Sequence, residues 1–334
     1  MPSRRATAVS GRGLLIGVVL VGAFLTARLL SPPQAFAAID GALGDGITLA
    51  LSVIIESLPF VFLGIGFSII VQVWLPEGFL LRRLPRRSLP RRLVLSVLGV
   101  LLPVCECGNV PLARGFLMSG LTVGESMTFL LAAPILNPVT IITTYEAFGW
   151  EDGVLVSRIL GGFLIANLVG IIYSRMPRPM SALTPVFERS CSVDHSHAPR
   201  GKRLTRSAEL FAHETTAMLP SLFVGAAIAG LIQVAVSRDV LVTLGSNPLW
   251  SVVALMALAF VVSICSNVDA FFVLALGSTF MPGAIVAFLV FGPMIDIKML
   301  AMLRTTFRAR TLALVTALVA LSTLVLGLAV NLLV

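Results

Sequence analysis

The feature that most constrains the fold of this chain is a set of residues that occurs twice at a nearly constant spacing. Six residue pairs lie 159 to 161 positions apart: Pro59 with Pro220, Gly64 with Gly225, Cys105 with Cys265, Asn109 with Asp269, Pro134 with Pro293, and Asn137 with Asp296. Chance similarity between two apolar stretches would match the common Leu and Val, and would seldom match proline, cysteine and amide or carboxylate at one spacing. The pattern therefore predicts an internal duplication.

The stretches that carry these residues are apolar enough to cross a membrane. Hydrophobic residues make up 57% and charged residues 12% of the 334 residues, whereas average proteins carry about 25% charged residues. Runs near the roughly 20 residues that a transmembrane helix needs lie at 14–30, 47–75, 121–148, 154–173, 215–236, 284–303 and 311–334. Two more apolar stretches, 93–119 and 249–280, are each interrupted by a cysteine motif. These runs predict an all-α polytopic membrane protein.

The net charge of +8 comes largely from two short regions between apolar runs. Their basic residues are Arg82, Arg83, Arg86, Arg87, Arg91 and Arg92 in the first, and Arg178, Arg189, Arg200, Lys202, Arg203 and Arg206 in the second. Basic loops beside membrane spans stay in the cytoplasm, which predicts that loops 76–92 and 176–213 are cytoplasmic. Such residues also contact anionic lipid, so no nucleic-acid partner is expected.

This topology divides the chain into four segments. Residues 1–46 hold an N-terminal helix, either an uncleaved membrane span or a cleaved signal peptide, and an external loop. Residues 47–175 form the first membrane repeat, 176–213 form a cytoplasmic connector that is flexible up to residue 202, and 214–334 form the second repeat. The first span of the first repeat starts outside the cell, whereas the first span of the second repeat starts in the cytoplasm. The second repeat is therefore predicted to be inverted relative to the first.

Proline and glycine interrupt the apolar stretches at matched places. Residues 93–104 are about half as long as a crossing helix, so we expect a re-entrant hairpin that turns at Cys105 and a counterpart that turns at Cys265. The helices around 134–138 and 293–296 are expected to be discontinuous. The residues predicted to break helices are Pro103, Gly108, Pro111, Pro134, Pro138 and Pro293. Four such breaks predict a polar central cavity, as in secondary transporters; alternatively, they only kink packed helices.

Ionisable residues lie at these breaks, where burial of a charge is costly and marks a functional site. Asp269 and Asp296 are the first candidates for proton coupling, because a carboxylate in an apolar setting can bind and release a proton near neutral pH. Glu106 and Glu56 are further candidates.

Two basic residues accompany these acids. Lys298 either neutralises Asp296 or extends to the cytoplasmic surface, and we predict the second arrangement. Arg158 is expected to pair with one of the acids or to lie at the outer interface.

Soft ligands lie at the same breaks. Cysteine sulfur selects thiophilic ions such as trivalent arsenic, monovalent copper and zinc. The predicted solute-binding residues are Cys105, Cys107, Cys265, Asn109, Asn137 and Asn267. The alternative is that these cysteines only fill space in apolar helices. A separate loop run with Cys191, His195 and His197 has metal-ligand residue types and is either a metal site or a solvated linker.

The chain resembles the predicted-permease family that includes the bacterial organoarsenical efflux permease ArsP. The resemblance rests on the motifs PVCECG followed by VPLARG, FLLAAPILNP, CSNVDAF and FGPMIDIK, and it extends from about residue 47 to the C-terminus. It implies a permease of the bacterial inner membrane. The best-described members export trivalent organoarsenicals, and others are linked to divalent metals. The resemblance makes Cys105, Cys107 and Cys265 candidate solute thiols, while Glu106 stands where many relatives are expected to have a small residue such as serine.

The sequence therefore predicts a secondary-active permease that exports a trivalent organoarsenical or a soft metal ion with proton coupling. Neither enzyme activity nor a cofactor is expected, and the sequence has no G-x-x-x-x-G-K-[ST] motif for ATP binding. Two alternatives are open at this point. One is a transmembrane thiol redox carrier that uses Cys105 and Cys265, and the other is a membrane scaffold without transport.

Overall fold

The computed structural model describes residues 41–76, 79–102, 104–150, 153–192, 203–235, 247–277 and 280–333. The predicted N-terminal helix, Pro103, His195 and His197 lie outside the described residues. The helices are α1 Gly41–Ile69, α2 Phe79–Arg83, α3 Ser88–Val97, α4 Glu106–Met118, α5 Val123–Ala132, α6 Pro138–Phe148, α7 Val154–Ser174, α8 Pro185–Ser192, α9 Arg203–Ala235, α10 Pro248–Val262, α11 Asp269–Leu274, α12 Pro282–Met294, α13 Ile297–Leu303 and α14 Ala309–Leu333.

Long apolar helices confirm the prediction of an all-α polytopic membrane protein. In the described part of the chain, five helical segments are long and apolar enough to cross a membrane: Gly44–Trp74, Val154–Ser174, Arg203–Val234, Pro282–Leu303 and Ala309–Leu333. The predicted run 121–148 is divided between α5 and α6. In the packing, α1 lies against α9 and α4, α9 lies against α13, and α12 contacts both α10 and α14.

The helical chain is broken where the cysteine motifs begin. Before Cys105, α3 and a short 3-10 turn at Leu98–Val100 end, and α4 begins at Glu106. After α10, residues 263–268 leave the helix, and α11 begins at Asp269. Both breaks contain the predicted cysteine, because Cys105 is the residue before α4 and Cys265 lies within the second break.

The prediction that Gly108 and Pro111 break the helix is wrong, because both lie inside α4. Gly108 is instead a contact residue. A Cβ atom at Gly64 would overlap the backbone of Gly108, and a Cβ atom at Gly108 would overlap the Phe60 carbonyl and Val104. The missing side chains therefore let α1 and α4 approach closely, as small residues do in membrane helix pairs.

The other pair of breaks falls where expected, with one correction. Pro134 lies in the turn between α5 and α6. Pro138 is the first residue of α6, a position at which the backbone amide would have no partner within the helix, so proline is tolerated there. Pro293 lies inside α12, so its prediction as a break residue is wrong. The helix ends at Met294, and the break lies at residues 295 and 296.

Glycine contacts recur in the two halves of the chain. Where α5 crosses α7, a Cβ atom at Gly124 would meet the Gly170 carbonyl, and one at Gly170 would meet the Gly124 carbonyl. Gly283 and Gly327 face each other in the same way where α12 crosses α14. Gly124 and Gly283 are 159 residues apart, which is the spacing of the duplicated motif. Their partners, Gly170 and Gly327, are 157 residues apart, so similar glycine contacts occur in both halves of the chain.

The prediction of a flexible connector is wrong for residues 176–192. Leu183 pairs with Phe307 in an isolated β-bridge, and the Thr184 amide donates to the Thr306 carbonyl at 2.8 Å. The side chain of Phe187, which is 2% exposed, lies under the Arg114 guanidinium, 4.4 Å from it. This part of the connector is therefore docked onto the helix bundle.

Substitution of Gly64 tests the close α1–α4 contact. A Gly64→Ala protein should lose roughly 1 to 3 kcal/mol of stability, as is typical of overpacking, because the new methyl group would force α1 away from Gly108. The matched control is Gly66→Ala on the same helix, where a Cβ atom meets nothing within 4 Å. Thermal unfolding in detergent should show a lower midpoint for the first protein, and an unchanged or higher one for the second. Equal midpoints would contradict the assigned contact.

Candidate solute-binding site

The two cysteine breaks have the same local geometry. The Cys105 carbonyl accepts hydrogen bonds from the amides of Gly108 at 3.1 Å and Asn109 at 3.2 Å. The Cys265 carbonyl accepts hydrogen bonds from the amides of Val268 at 3.0 Å and Asp269 at 3.2 Å. Each cysteine is therefore held by the first turn of the helix that follows it, at equivalent positions of the duplicated motif.

The breaks bring two thiols and a carboxylate together. Ligand atoms of Cys105, Glu106 and Cys265 all lie within 4.8 Å of one another. These residues are 1%, 0% and 3% exposed, and both cysteines are free thiols. The structure thus brings Cys105 and Cys265 together, although they lie 160 residues apart in sequence.

Lys298 occupies the centre of this cluster. Its ammonium Nζ lies 2.9 Å from Glu106 Oε1 and 3.6 Å from Asp296 Oδ2, and donates to the Ser263 carbonyl at 2.8 Å. The side chain is 1% exposed, so the prediction that it extends to the cytoplasmic surface is wrong. Lys298 is the second residue of α13, and the break before this helix turns its side chain toward the cluster.

Asn137 and Asp296, one of the six sequence pairs, each cap the start of a helix. Asn137 Oδ1 accepts from the Val139 amide at 2.9 Å and caps α6, and Asp296 Oδ1 accepts from the Met299 amide at 2.6 Å and caps α13. Such side-chain caps satisfy amides at a helix start. Asn137 Nδ2 also donates to the Val104 carbonyl at 3.3 Å, so it holds the break beside Cys105.

A second buried cluster surrounds Asp269. Its carboxylate binds the Arg158 guanidinium through two bonds, Nη1 to Oδ1 at 3.0 Å and Nη2 to Oδ2 at 2.5 Å. Arg158 Nη1 also donates to the Thr144 hydroxyl at 2.7 Å, and the Thr140 hydroxyl lies 3.5 Å from Asn267 Oδ1. Of the two expectations for Arg158, pairing with an acid is confirmed. The side chain of Asn267 lies in this second cluster, whereas its backbone hydrogen-bonds the Cys265 thiol.

Three further predicted residues border the thiol cluster. The Cys107 thiol donates to the Ser57 hydroxyl at 3.4 Å and is not part of the three-ligand group. Glu56 is exposed, and its side chain hydrogen-bonds that of Cys265. Asn109 is fully buried, and neither of its amide atoms has a hydrogen-bond partner among the described residues. Because a buried amide normally finds partners, Asn109 has hydrogen-bonding capacity to offer a ligand.

The buried ion pair between Arg114 and Glu214 was not predicted. Arg114 of α4 binds Glu214 of α9 through Nε at 2.8 Å and Nη2 at 3.2 Å, and its Nη1 donates to the Thr306 hydroxyl at 2.8 Å. Both charged side chains are buried. An arginine inside an apolar stretch is itself a signal for such a pair, but Glu214 lies 100 residues away.

The candidate metal loop is described only at Cys191. This residue lies near the end of α8 and packs half-buried against the apolar core. His195 and His197 lie outside the described residues, so a metal site in this loop stays a prediction.

Comparison with known protein families identifies the class of protein to which this chain belongs. The family model described as a predicted permease matches residues 43–332, which include every residue of both buried clusters. The chain belongs to this predicted-permease family. The assignment indicates a multi-pass membrane transporter rather than an enzyme. No solved structure matches the chain.

Bacterial relatives of this permease match along most of their length. A protein of Bacillus subtilis named UPF0718 protein YcgR is 35% identical over 265 residues, which is 78% of this chain and 88% of that protein. A Streptococcus mutans protein named as a putative two-component membrane permease complex subunit is 32% identical over 79% of this chain and 87% of its own length. UPF0718 protein YraQ of Escherichia coli is 24% identical over 79% of this chain and 75% of its own length.

Proposed function

We propose that this permease is a secondary-active transporter that exports a thiophilic solute, and that Cys105, Glu106 and Cys265 bind this solute. The observation that carries the proposal is the convergence of two thiols and a carboxylate within 4.8 Å. The chain supplies these groups from two distant breaks, so a solute bound between them would link its two halves.

The chemistry of the three groups favours a soft metal ion or a trivalent organoarsenical. Two sulfurs on one zinc ion lie about 3.8 Å apart, given the Zn–S bond of about 2.3 Å and tetrahedral angles. The observed spacing of up to 4.8 Å is therefore close to what an ion needs. The carboxylate of Glu106 adds a negative charge, which favours a cation over a neutral solute.

We further propose that the two halves are inverted repeats that work by alternating access. The matched cysteine turns, the caps at Asn137 and Asp296, and the matched glycine contacts support duplication. The basic loops 76–92 and 176–213 support the inverted orientation, with both loops in the cytoplasm. Exposure of the site to one side at a time would require the buried ion pairs between the halves to open in turn.

Proton coupling belongs to this proposal, with Asp269 as the residue to test first. Its carboxylate faces the guanidinium of Arg158 rather than the proposed solute ligands. If the halves separate there, Asp269 loses its positive partner inside the protein. A proton would then neutralise it, because an isolated buried charge is very costly.

Transport by purified protein in liposomes tests the proposal. Under an imposed proton gradient, the native protein should move cadmium or methylarsenite, and Cys105→Ser or Cys265→Ser should lower the rate at least about tenfold because oxygen replaces a soft sulfur ligand. Cys191→Ser is the matched control, since this cysteine lies in α8 outside the cluster. If native protein moves neither arsenicals nor soft metals under any gradient, the proposed solute class is wrong.

A thiol redox carrier is the second candidate, because the Cys105 and Cys265 side chains lie within hydrogen-bonding reach of each other. This function would need a disulfide between them that forms and is reduced in each cycle. Trapping such a disulfide in cells, and finding that thioredoxin reduces it, would support this candidate over transport. A redox carrier gives no role to Glu106 or Asp269, which the proposed permease uses.

A further inference from the structure

We propose that Lys298 is a tethered competitor of the solute, which holds Glu106 until a thiophilic cation binds and then moves to Asp296. This inference rests on the proposed function, because it describes how the same site accepts its solute. It assigns Lys298 and Asp296 as positioning residues that do not themselves contact the solute.

The Lys298 ammonium and the Ser266 hydroxyl each lie beside one oxygen of Glu106, and the ammonium holds Oε1 as an ion pair without a formal hydrogen bond. Its Oε1 lies 2.9 Å from the Lys298 ammonium, and its Oε2 accepts from the Ser266 hydroxyl at 3.2 Å. A cation that joins Cys105 and Cys265 and also takes Oε1 would stand close to the ammonium. Two like charges so close in a buried site repel strongly, so cation binding requires Lys298 to leave Glu106.

Asp296 provides the second position for the ammonium. Its Oδ1 is used to cap α13 through the Met299 amide, while Oδ2 receives no hydrogen bond from any described residue. Glu106 Oε1 also receives no hydrogen bond, so the two oxygens differ in their distance from Lys298 Nζ, which is 2.9 Å for Glu106 and 3.6 Å for Asp296. A charge-assisted hydrogen bond forms at roughly 2.8 Å, so a movement of about 1 Å would complete it. The Ser263 carbonyl, at 2.8 Å from Nζ, lies beside both positions and can keep its bond.

The charges of the cluster make this exchange selective. Lys298 lies between two carboxyl groups, Glu106 and Asp296, so it can stay beside one of them when the other binds a cation. A hard cation such as sodium gains little from sulfur and would have to replace an ammonium that already has three oxygen neighbours. A thiophilic cation gains two sulfur bonds in exchange, and only such a solute is expected to move Lys298.

The sequence makes Lys298 easy to observe, because the chain contains two lysines, Lys202 and Lys298. Full-length protein with lysine labelled at Cε and Nζ should give two side-chain signals in a heteronuclear NMR spectrum, and Lys202→Arg identifies the second. Cadmium is the probe, because cadmium–thiolate bonds absorb in the ultraviolet. Cadmium saturation should shift the Lys298 signal and leave that of Lys202 in place. In Cys265→Ser, cadmium should cause no shift at the same concentration.

Two variants test the direction of the exchange. Asp296→Asn removes the charge that receives the ammonium and should weaken cadmium binding at least about tenfold. Its fold should persist, since Asn137 caps α6 with the same amide group. Lys298→Met removes the competitor and should strengthen binding at least about tenfold. If this variant does not fold, the NMR shift of the native protein still decides the question.

The outcomes separate this inference from the proposed function. Cadmium–thiolate absorption with an unmoved Lys298 signal would overturn the inference and leave the solute site intact. The inference would also fail if Lys298→Met folds and binds cadmium no more tightly than native protein does. Native protein that gives no thiolate absorption with cadmium, and also binds no trivalent arsenical, would overturn the proposed function itself.

Discussion

Glu106→Gln should strongly weaken solute binding while the fold persists. A unit charge about 4 Å from a bound cation contributes about 4 kcal/mol at an effective dielectric constant of 20, which is close to a thousandfold in affinity. The variant also leaves the Lys298 ammonium opposite a neutral amide, so its positive charge opposes the cation. We expect cadmium affinity, measured by thiolate absorption, to fall at least about 100-fold, and transport to fall below detection.

The matched control for this experiment is Glu125→Gln. Glu125 is also buried, at 1% exposure, but it caps α5 through the Thr122 amide and pairs with Arg91 at 3.2 Å. Glutamine can fill the same place in a capping box, so binding should stay near the native value. Native-like cadmium affinity in Glu106→Gln would show that the carboxylate is not a ligand. Only the thiols of Cys105 and Cys265 would then remain as proposed ligands.

The sequence predicted the outline of this fold because its signals are local. Apolar runs set the spanning helices, since a membrane accepts only segments whose backbone hydrogen bonds are internal. The pairing of Cys105 with Cys265 was predictable for a different reason. The repeat placed both cysteines at matched breaks, and two matched breaks in one membrane protein are expected to face a common centre.

The corrected predictions for Gly108 and Lys298 depend on neighbours that are distant in sequence. Gly108 and Pro111 carry the usual signature of a helix break, but whether a helix continues through them depends on what packs there, and Gly64 of α1 gives Gly108 a close partner. The length and flexibility of Lys298 are equally suited to reaching the membrane surface. Its actual direction is set by the α13 start and by Glu106, which lies 192 residues earlier in the sequence.

The sequence indicated which arginines are buried in apolar stretches, but it did not identify the acidic partner of each one. Arg158 was expected either to pair with one of the buried acids or to lie at the outer interface, and the structure joins it to Asp269. Arg114 also lies in an apolar stretch, but Glu214 belongs to a polar segment at the start of α9 and gave no such signal. A buried charge therefore predicts that a partner exists, and the fold decides which residue it is.

Asp269→Asn should be the most destabilising single change in the second cluster. It removes the carboxylate that binds Arg158 through two bonds and leaves a buried guanidinium without a counter-charge. Breaking such a pair costs roughly 3 to 5 kcal/mol, whereas replacing both partners by apolar residues is often neutral. Chemical unfolding in detergent should therefore show a large loss for Asp269→Asn, and recovery of most of this loss in the double variant Arg158→Met with Asp269→Leu.

Transport by this stabilised double variant then separates structure from coupling. If Asp269 carries the coupled proton, liposomes with the double variant should bind cadmium normally but move it at a rate that no longer responds to an imposed proton gradient. Gradient-driven transport in the double variant would limit Asp269 and Arg158 to a structural role and would require a different carboxylate, such as the exposed Glu56, for coupling. An Asp269→Asn protein as stable as the native one would contradict the ion pair itself, because a lone buried guanidinium cannot be without cost.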